Sequence, residues 1–348
     1  MNKYFQISAL ILCCTLPALS QASGAKCSLL FGNPTYAETK IVPFHMPGLQ
    51  VASLNDSTLS TGATLFFFPK GAYANFDSRG GSVASVETSL LTEGSYSHLI
   101  DGIVFAGGST MGLAAADGVR SKIFKERINS SAFDAIPSIP GAVVYDYGGR
   151  IQRYNNQEVY PNREMGEALY EQLSSSEFMA GRAGAGTTTS CSKACDPKWG
   201  GQGIISRSFI FDGKKINLLV AVVLNPTGDI FSEGKSITGQ YRNVGASVPH
   251  GPKQNTTLSL VVTDIPLDRS QLKRISIMVH TAMARNIAPF HTPTDGDILF
   301  TVTTGKDRPS YREEAYAFEE ALAEKATEMM EEAILQAVDT SNIKRSSK

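Results

Sequence analysis

The stretch from Thr256 to Thr263 reads Thr-Thr-Leu-Ser-Leu-Val-Val-Thr, and it follows without transition on a polar, turn-like run from His250 to Asn255. Val, Leu and Thr suit a strand that is buried or half-buried. A second run, Val220 to Leu224, is apolar throughout and is expected to lie centrally in a sheet. Two such strands commit the chain to covered sheets around a sizeable core. The 348 residues, 42% hydrophobic and 19% charged, provide for one large domain or two medium ones.

The remaining pattern alternates between strand and helix without a regular βαβ rhythm. Ala63 to Pro69, Ile100 to Ala106, Gly141 to Tyr147 and Asp297 to Thr304 read as strands. Ser206 to Phe211 and Lys215 to Leu224 read as a hairpin around Asp212-Gly213, a strong turn pair. Helices are expected from a cap at Ser109 to about Asn129, over Glu164 to Ser174, from a cap at Asp268 to Asn286, and from Tyr311 to about Val338. The last carries Phe318, Leu322, Ala326, Met329, Ala333 and Ala337 along one stripe. Ala72 to Val83, Ala180 to Gly203 and Thr227 to Gly251 read as loops. No internal repeat is visible. The sum is a layered α+β chain.

Net charge is −1, so nothing calls for nucleic acid or an anionic surface. The N-terminus reads as a secretory signal: Lys3, an apolar stretch from Ile7 to Leu19, then small residues at Ser20-Gln21-Ala22 and Ser23-Gly24-Ala25. A signal of residues 1–22 and an exported, periplasmic product without a membrane anchor are expected. Cys13 and Cys14 leave with the signal, and Cys27, Cys191 and Cys195 stay. In an oxidising compartment Cys191 and Cys195 are spaced for a local disulfide. Two cysteines with no nearby histidine do not make a zinc site.

Several groups could do chemistry. Thr256 is the first residue of its strand. If the bond after Asn255 is cut, its hydroxyl becomes a nucleophile and its freed amine, with a reference pKa of about 7.7–8.0, the general base. Asn255 would sit in a strained turn before that cut. Asn225 leaves the central strand at Leu224-Asn225-Pro226, where a side-chain amide can donate to an oxyanion or simply shape a turn. Asp295 and Asp297, in Asp-Gly-Asp, can orient a nucleophile, bind a metal with His291, or form a solvated turn. Gly107, Gly108 and Ser109 lie between a strand and a helix, where backbone N–H groups can hold a carbonyl oxygen or an anion of the substrate. The Walker A and GxGxxG spacings are absent. Lys198 precedes Gly200-Gly201 and stands as either a site lysine or a solvated one.

Taken in order, these pieces resemble the L-aminopeptidase/D-esterase (D-amidase) family of self-processing hydrolases, relatives of beta-peptidyl aminopeptidases and nylon-oligomer hydrolases. The matching segments are Asp77-Ser78-Arg79-Gly80-Gly81, Ala106-Gly107-Gly108-Ser109, Gly184-Ala185-Gly186-Thr187, Gly200-Gly201, Val223-Leu224-Asn225-Pro226-Thr227-Gly228-Asp229, Asn255-Thr256-Thr257-Leu258 and His291-Thr292-Pro293 through Asp295-Gly296-Asp297. The resemblance implies a four-layer αββα sandwich of the ornithine-acetyltransferase-like N-terminal-nucleophile type. It implies one catalytic domain, 23–348, self-cleaved into 23–255 and 256–348. Thr256 falls at the nucleophile, Asn225 at the oxyanion side, Asp295 and Asp297 at the orienting acidic pair, and Lys198 at the family lysine. The segment around Cys191 and Cys195 departs from the family pattern, as does Val86-Glu87-Thr88-Ser89.

The expected function is hydrolysis of amide or ester bonds next to a free amine, in small peptide, amide or ester substrates, with no metal or organic cofactor. The resemblance also implies a homo-oligomer. The alternatives are an acyltransferase of the same fold and a non-catalytic binding protein.

Overall fold

One strand belongs to two sheets. Gly62–Ser78 runs for 17 residues. Its first part pairs with Gln50–Asn55 and with Ile100–Ala106 on its two sides, and its last part with Ile298–Thr303. The computed structural model describes residues 39–58, 60–95, 99–150, 159–193, 197–238, 255–305 and 314–342. The expected signal segment, Cys27, Cys195 and residues 239–254 lie outside them.

The strands that matter for the site are β1 (Gln50–Asn55), β2 (Gly62–Ser78), β3 (Ile100–Ala106), β4 (Gly141–Val143), β5 (Gly201–Phe211), β6 (Lys214–Asn225), β7 (Thr256–Thr263) and β8 (Ile298–Thr303). The helices are α1 (Ala114–Glu126), α2 (Arg163–Glu171), α3 (Arg269–Ala282) and α4 (Glu314–Asn342). The hydrogen-bonded order is β5-β6-β7-β8-β2-β3-β4, with β1 beside β2 and the short strand Ser85–Val86 beyond β4. β7 runs parallel to β8, and β3 parallel to β4; the other pairs are antiparallel.

The expected hairpin is present, with Phe211 opposite Lys214 across Asp212-Gly213. β5 extends back to Gly201, so the end of the expected loop from Ala180 is strand. β2 departs more from expectation. The residues from Ala72 on, read as loop, continue the strand to Ser78. The register shifts between Phe67 and Ala72, around Pro69-Lys70-Gly71, with Gly71 at φ +71°. Pro69 lacks a donor and Gly71 takes a left-handed turn, so the bulge bends the chain from one sheet into the other. Alternation then resumes, with Ala72 and Ala74 buried and Tyr73 and Phe76 partly so.

Three apolar cores follow from the two-residue period of the strands. On one face of β6 and β7, Leu219, Ala221, Leu258 and Leu260 pack with Phe66, Phe68 and Phe105. Phe105 reaches Phe300 at 6.0 Å and joins the two halves of this core. On the other face, Leu218, Val220, Val222 and Val261 meet Leu272, Ile275 and Val279 of α3 and Met329, Met330 and Ala333 of α4. The third core puts Leu65, Phe67 and Val104 against Val119 and Ile123 of α1 and Leu169 of α2. β6 is apolar on both faces and reads as a continuous hydrophobic run, whereas β7 buries Thr257 and Ser259 on the face that carries Val261. Truncating a fully buried leucine such as Leu260 would cost about 2–5 kcal/mol.

The helix starts are specified locally in two cases. Asn162 caps α2 through the Met165 N–H, and Asp268 and Gln271 form a reciprocal capping box on α3. Ser109 does not cap a helix. It sits at φ +54° in a short 3-10 turn, Ser109–Leu113, and α1 begins only at Ala114. The N-cap of that turn is Gly108, at φ +77°, because the chain leaving β3 must reverse through a conformation that glycine reaches without cost.

Candidate active site

β6, β7 and the loop entering β8 bring the predicted residues to one end of the sheet. Asn225 ends β6 and stands opposite Thr256, which begins β7. The loop before β8 passes the same point, and Asn255 makes a parallel bridge to Asp295. Asn225, Asn255, Thr256, Asp295 and Asp297 are all buried, the two carboxylates completely.

The carbonyl of Asn255 is the centre of the arrangement. Its oxygen accepts the Gly296 N–H at 2.7 Å and also lies against the Thr256 hydroxyl. A Cβ at position 296 would stand 2.7 Å from the Thr256 Oγ1 and 2.8 Å from the Ser82 carbonyl oxygen. Only glycine lets the backbone come this close. Asn255 is thus tied into a bridge rather than standing in a free turn.

The two aspartates hold this geometry from behind. Asp297 Oδ1 accepts the Thr257 N–H at 2.7 Å, and its Oδ2 accepts the His291 N–H and ring Nδ1, each at 3.0 Å. Asp295 accepts the Thr227 N–H at 3.2 Å and the Thr292 N–H at 3.1 Å, with the Thr292 hydroxyl as a further donor. Burial, then the charge of Asp297, pushes the Asp295 carboxyl above its ordinary range. Both carboxylates are spent on neighbouring backbone and side chains. Among the described residues, no three His, Cys, Asp or Glu side chains converge as metal ligands.

Asn225 donates from Nδ2 to the Tyr145 carbonyl at 3.0 Å and accepts the Ser190 N–H at 3.1 Å. A lysine fixes it from the other side. Lys193 Nζ donates to the Asn225 carbonyl at 2.8 Å and to its Oδ1 at 2.9 Å. Burial pushes the Lys193 amine down to about 7, against the pull of Asp295. Lys198, the lysine expected here, stands on the short strand Lys198–Trp199 opposite Ser190–Cys191. Both lysines lie in the segment that departs from the family spacing, and a Ser-Lys-Ala tripeptide gives no local signal that its lysine turns inward.

One expectation changes. The N–H groups of Gly107, Gly108 and Ser109 donate to Gly62 O at 2.9 Å, Asp146 Oδ1 at 2.9 Å and Val144 O at 3.0 Å. They brace the turn after β3 and are not available to a substrate. Cys191 is a buried thiol with no disulfide partner among the described residues, and burial pushes it up to about 12; Cys195, the other half of the expected bridge, lies outside them.

Residues 45–345 match the family model for peptidase family S58. The 6-aminohexanoate-oligomer endohydrolase of Kocuria sp. (strain KY2) is 31% identical over 342 residues, covering 88% of this chain and 92% of the relative. The chain belongs to peptidase family S58. The S58 relative of the same name from Paenarthrobacter ureafaciens is 31% identical over 322 residues, covering 86% of each chain. Among solved structures, the L-aminopeptidase D-Ala-esterase/amidase of Ochrobactrum anthropi, a variant of the Ntn hydrolase fold, superposes with a TM-score of 0.69 at 18% identity, over 86% of this chain and 88% of that one. The Burkholderia sp. beta-aminopeptidase superposes with a TM-score of 0.65 at 19% identity, over 88% and 91%. The S58 membership makes this protein a hydrolase of the peptidase and amidase type, on a mixed α+β fold of the Ntn hydrolase kind.

Proposed function

We propose that this protein cuts its own chain between Asn255 and Thr256 and then uses Thr256 as an N-terminal nucleophile against amide and ester bonds of small substrates bearing a free amine. The observation that carries this reading is the Asn255 carbonyl, held between the Thr256 hydroxyl and the Gly296 N–H.

In the first step the Thr256 Oγ1 bonds to the Asn255 carbonyl carbon. The developing oxyanion lies where the Gly296 N–H already donates. The carbon–nitrogen bond then breaks, the nitrogen takes a proton, and an ester joins Asn255 to the Thr256 side chain. Water hydrolyses that ester, leaving a carboxylate on Asn255 and a free amine and hydroxyl on Thr256. In later turnovers this amine accepts the hydroxyl proton as Oγ1 bonds to the substrate carbonyl carbon, and returns it to the leaving amine or alcohol; water then hydrolyses the acyl ester and restores the hydroxyl. The Asn225 amide, oriented by Lys193, serves the oxyanion side once Nδ2 turns from the Tyr145 carbonyl.

The three cores support a four-layer αββα reading of the fold. Relatives named for aminopeptidase and for oligomer endohydrolase activity support a linear amide as substrate. Export to the periplasm and assembly into a homo-oligomer belong to the same proposal. The test is a denaturing gel of purified protein with N-terminal sequencing of the smaller chain, followed by a panel of aminoacyl amides and esters. Two chains, the smaller beginning Thr-Thr-Leu-Ser-Leu, are expected, with Thr256→Ala left as one inactive chain. An active, uncut wild-type protein would overturn the mechanism.

A further inference from the structure

Behind Asp297 lies a pair of histidines that the hydrolytic mechanism does not use. His291 donates to Asp297 Oδ2 through both its backbone N–H and its ring Nδ1, each at 3.0 Å. The ring is clamped. Phe290 stacks on it with centroids 3.8 Å apart and planes at 27°, and His280 meets it edge-on at 4.4 Å and 79°. His280 is completely buried on α3, and its own Nδ1 is 3.0 Å from Asp77 Oδ2. Asp77 is held in turn by Arg79 and, at 3.4 Å, by Lys273. A chain of contacts thus runs from the surface of α3 through Asp77, His280, His291 and Asp297 to the Thr257 N–H, one peptide from the Thr256 hydroxyl.

Two features argue that this chain is more than packing. His291 adopts φ +57°, a left-handed conformation that costs a non-glycine residue about 1–3 kcal/mol and persists where the surroundings over-determine it. Each ring keeps a buried Nε2 with no hydrogen-bond partner among the described residues. A neutral ring with its proton on Nδ1 tolerates this, since only a lone pair goes unmet, whereas a charged ring would bury an unmet N–H. Burial also pushes His280 toward its neutral form, against its bond to Asp77. Both rings therefore present Nδ1–H to a carboxylate.

We propose that His291 is a positioning residue: clamped by Phe290 and His280, it fixes Asp297 Oδ2 so that Oδ1 stays aligned on the Thr257 amide and holds the first residues of β7 in register with the reacting carbonyl. Asp297 has three N–H donors and two oxygens. When the two donors from His291 are satisfied, the carboxylate cannot rotate, and the plane of the Thr256–Thr257 peptide is set with it.

This inference rests on Thr256 being the nucleophile for its kinetic readout, but not for its spectroscopic one. The experiment uses full-length protein carrying 15N-threonine, with the Thr257 amide assigned from the Thr257→Ser variant. In wild type the Thr257 amide proton is expected well downfield, as befits a short bond to a carboxylate. In His291→Ala it should move upfield. In His291→Asn it should stay, because an asparagine amide stands near the place of Nδ1 and tolerates positive φ. Turnover should follow the same order: kcat lower on the order of tenfold to a hundredfold in the alanine variant with KM within about twofold, and largely restored in the asparagine variant. An unchanged Thr257 resonance in His291→Ala, or an asparagine variant as impaired as the alanine one, would overturn the proposal. A shifted resonance in a protein that is never cut at Asn255 would leave the positioning role standing and sink the nucleophile.

Discussion

The Gly296 N–H and the Asn255 carbonyl oxygen stand 2.7 Å apart, within reach of the Thr256 hydroxyl that lies on the same oxygen. The bond that the proposed self-cleavage breaks is thus polarised by a backbone donor before any chemistry begins. Gly296→Ala should leave the protein largely uncut, with self-cleavage slowed by about a hundredfold or more, because the new Cβ would stand 2.7 Å from the Thr256 Oγ1. A time course of chain cleavage after purification measures this, and wild-type cleavage in the alanine variant would exclude the geometry.

Asp297→Asn should lower turnover by about a hundredfold with a small change in KM. Its two oxygens accept from Thr257 and from two donors of His291. An asparagine offers one oxygen and one N–H, so whichever way it turns one donor faces another. Steady-state kinetics with and without a chelator check this, and chelator is expected to change neither enzyme.

Asp295 gives a stability signature of the opposite kind. Its carboxyl binds its proton more tightly folded than unfolded, chiefly because it is buried, then because Asp297 is near. Stability from this group is present at low pH and is lost as pH rises through the raised value. Asp295→Asn mimics the protonated form and should melt at or above wild type at neutral pH. The difference should close as pH falls into the carboxylate range. Melting curves across that window decide it.

Lys193 shows the complementary sign. Its amine is pushed down to about 7 by burial. From about 7 up to the unfolded lysine value of about 10.4, the unfolded chain binds the extra proton, so wild-type stability rises with pH relative to Lys193→Met, and the difference is flat below 7. Turnover in Lys193→Met should fall, since Asn225 Oδ1 loses its ammonium partner. Lys198→Met should leave turnover near wild type.

How much of this could be read from the residues alone depends on how local each signal is. β7, the β5–β6 hairpin and the Asp268 cap are written in contiguous residues, and they appear where expected. Asn225, Asn255, Thr256, Asp295 and Asp297 come together because two strand ends and one loop meet, and their order along the chain matched a known pattern. The second half of β2 was hidden by Pro69 and Gly71, which end strands more often than they bend them. Lys193 carries no signature at all. Its contact with Asn225 is made across the fold, whereas Lys198 is marked by the neighbouring Gly-Gly pair. The His280–His291 contact joins a helix to a loop through ring packing, which no periodicity encodes.

The place of β7 in the sheet has a further consequence. With β8 at its side it lies between β6 and β2: β7 bonds to β6, and β8 bonds to β2. If the bond before Thr256 is cut as proposed, β7 and β8 both go to the smaller chain, which is then held between two strands of the larger one, as a keystone is held by the arch it closes. The covalent connection that guided it there would no longer exist. A precursor can find its fold as one molecule, but a matured enzyme that has been fully unfolded must bring two chains together again, at a rate that depends on concentration. Self-cleavage would thus turn folding into an event that each molecule completes unimolecularly only once.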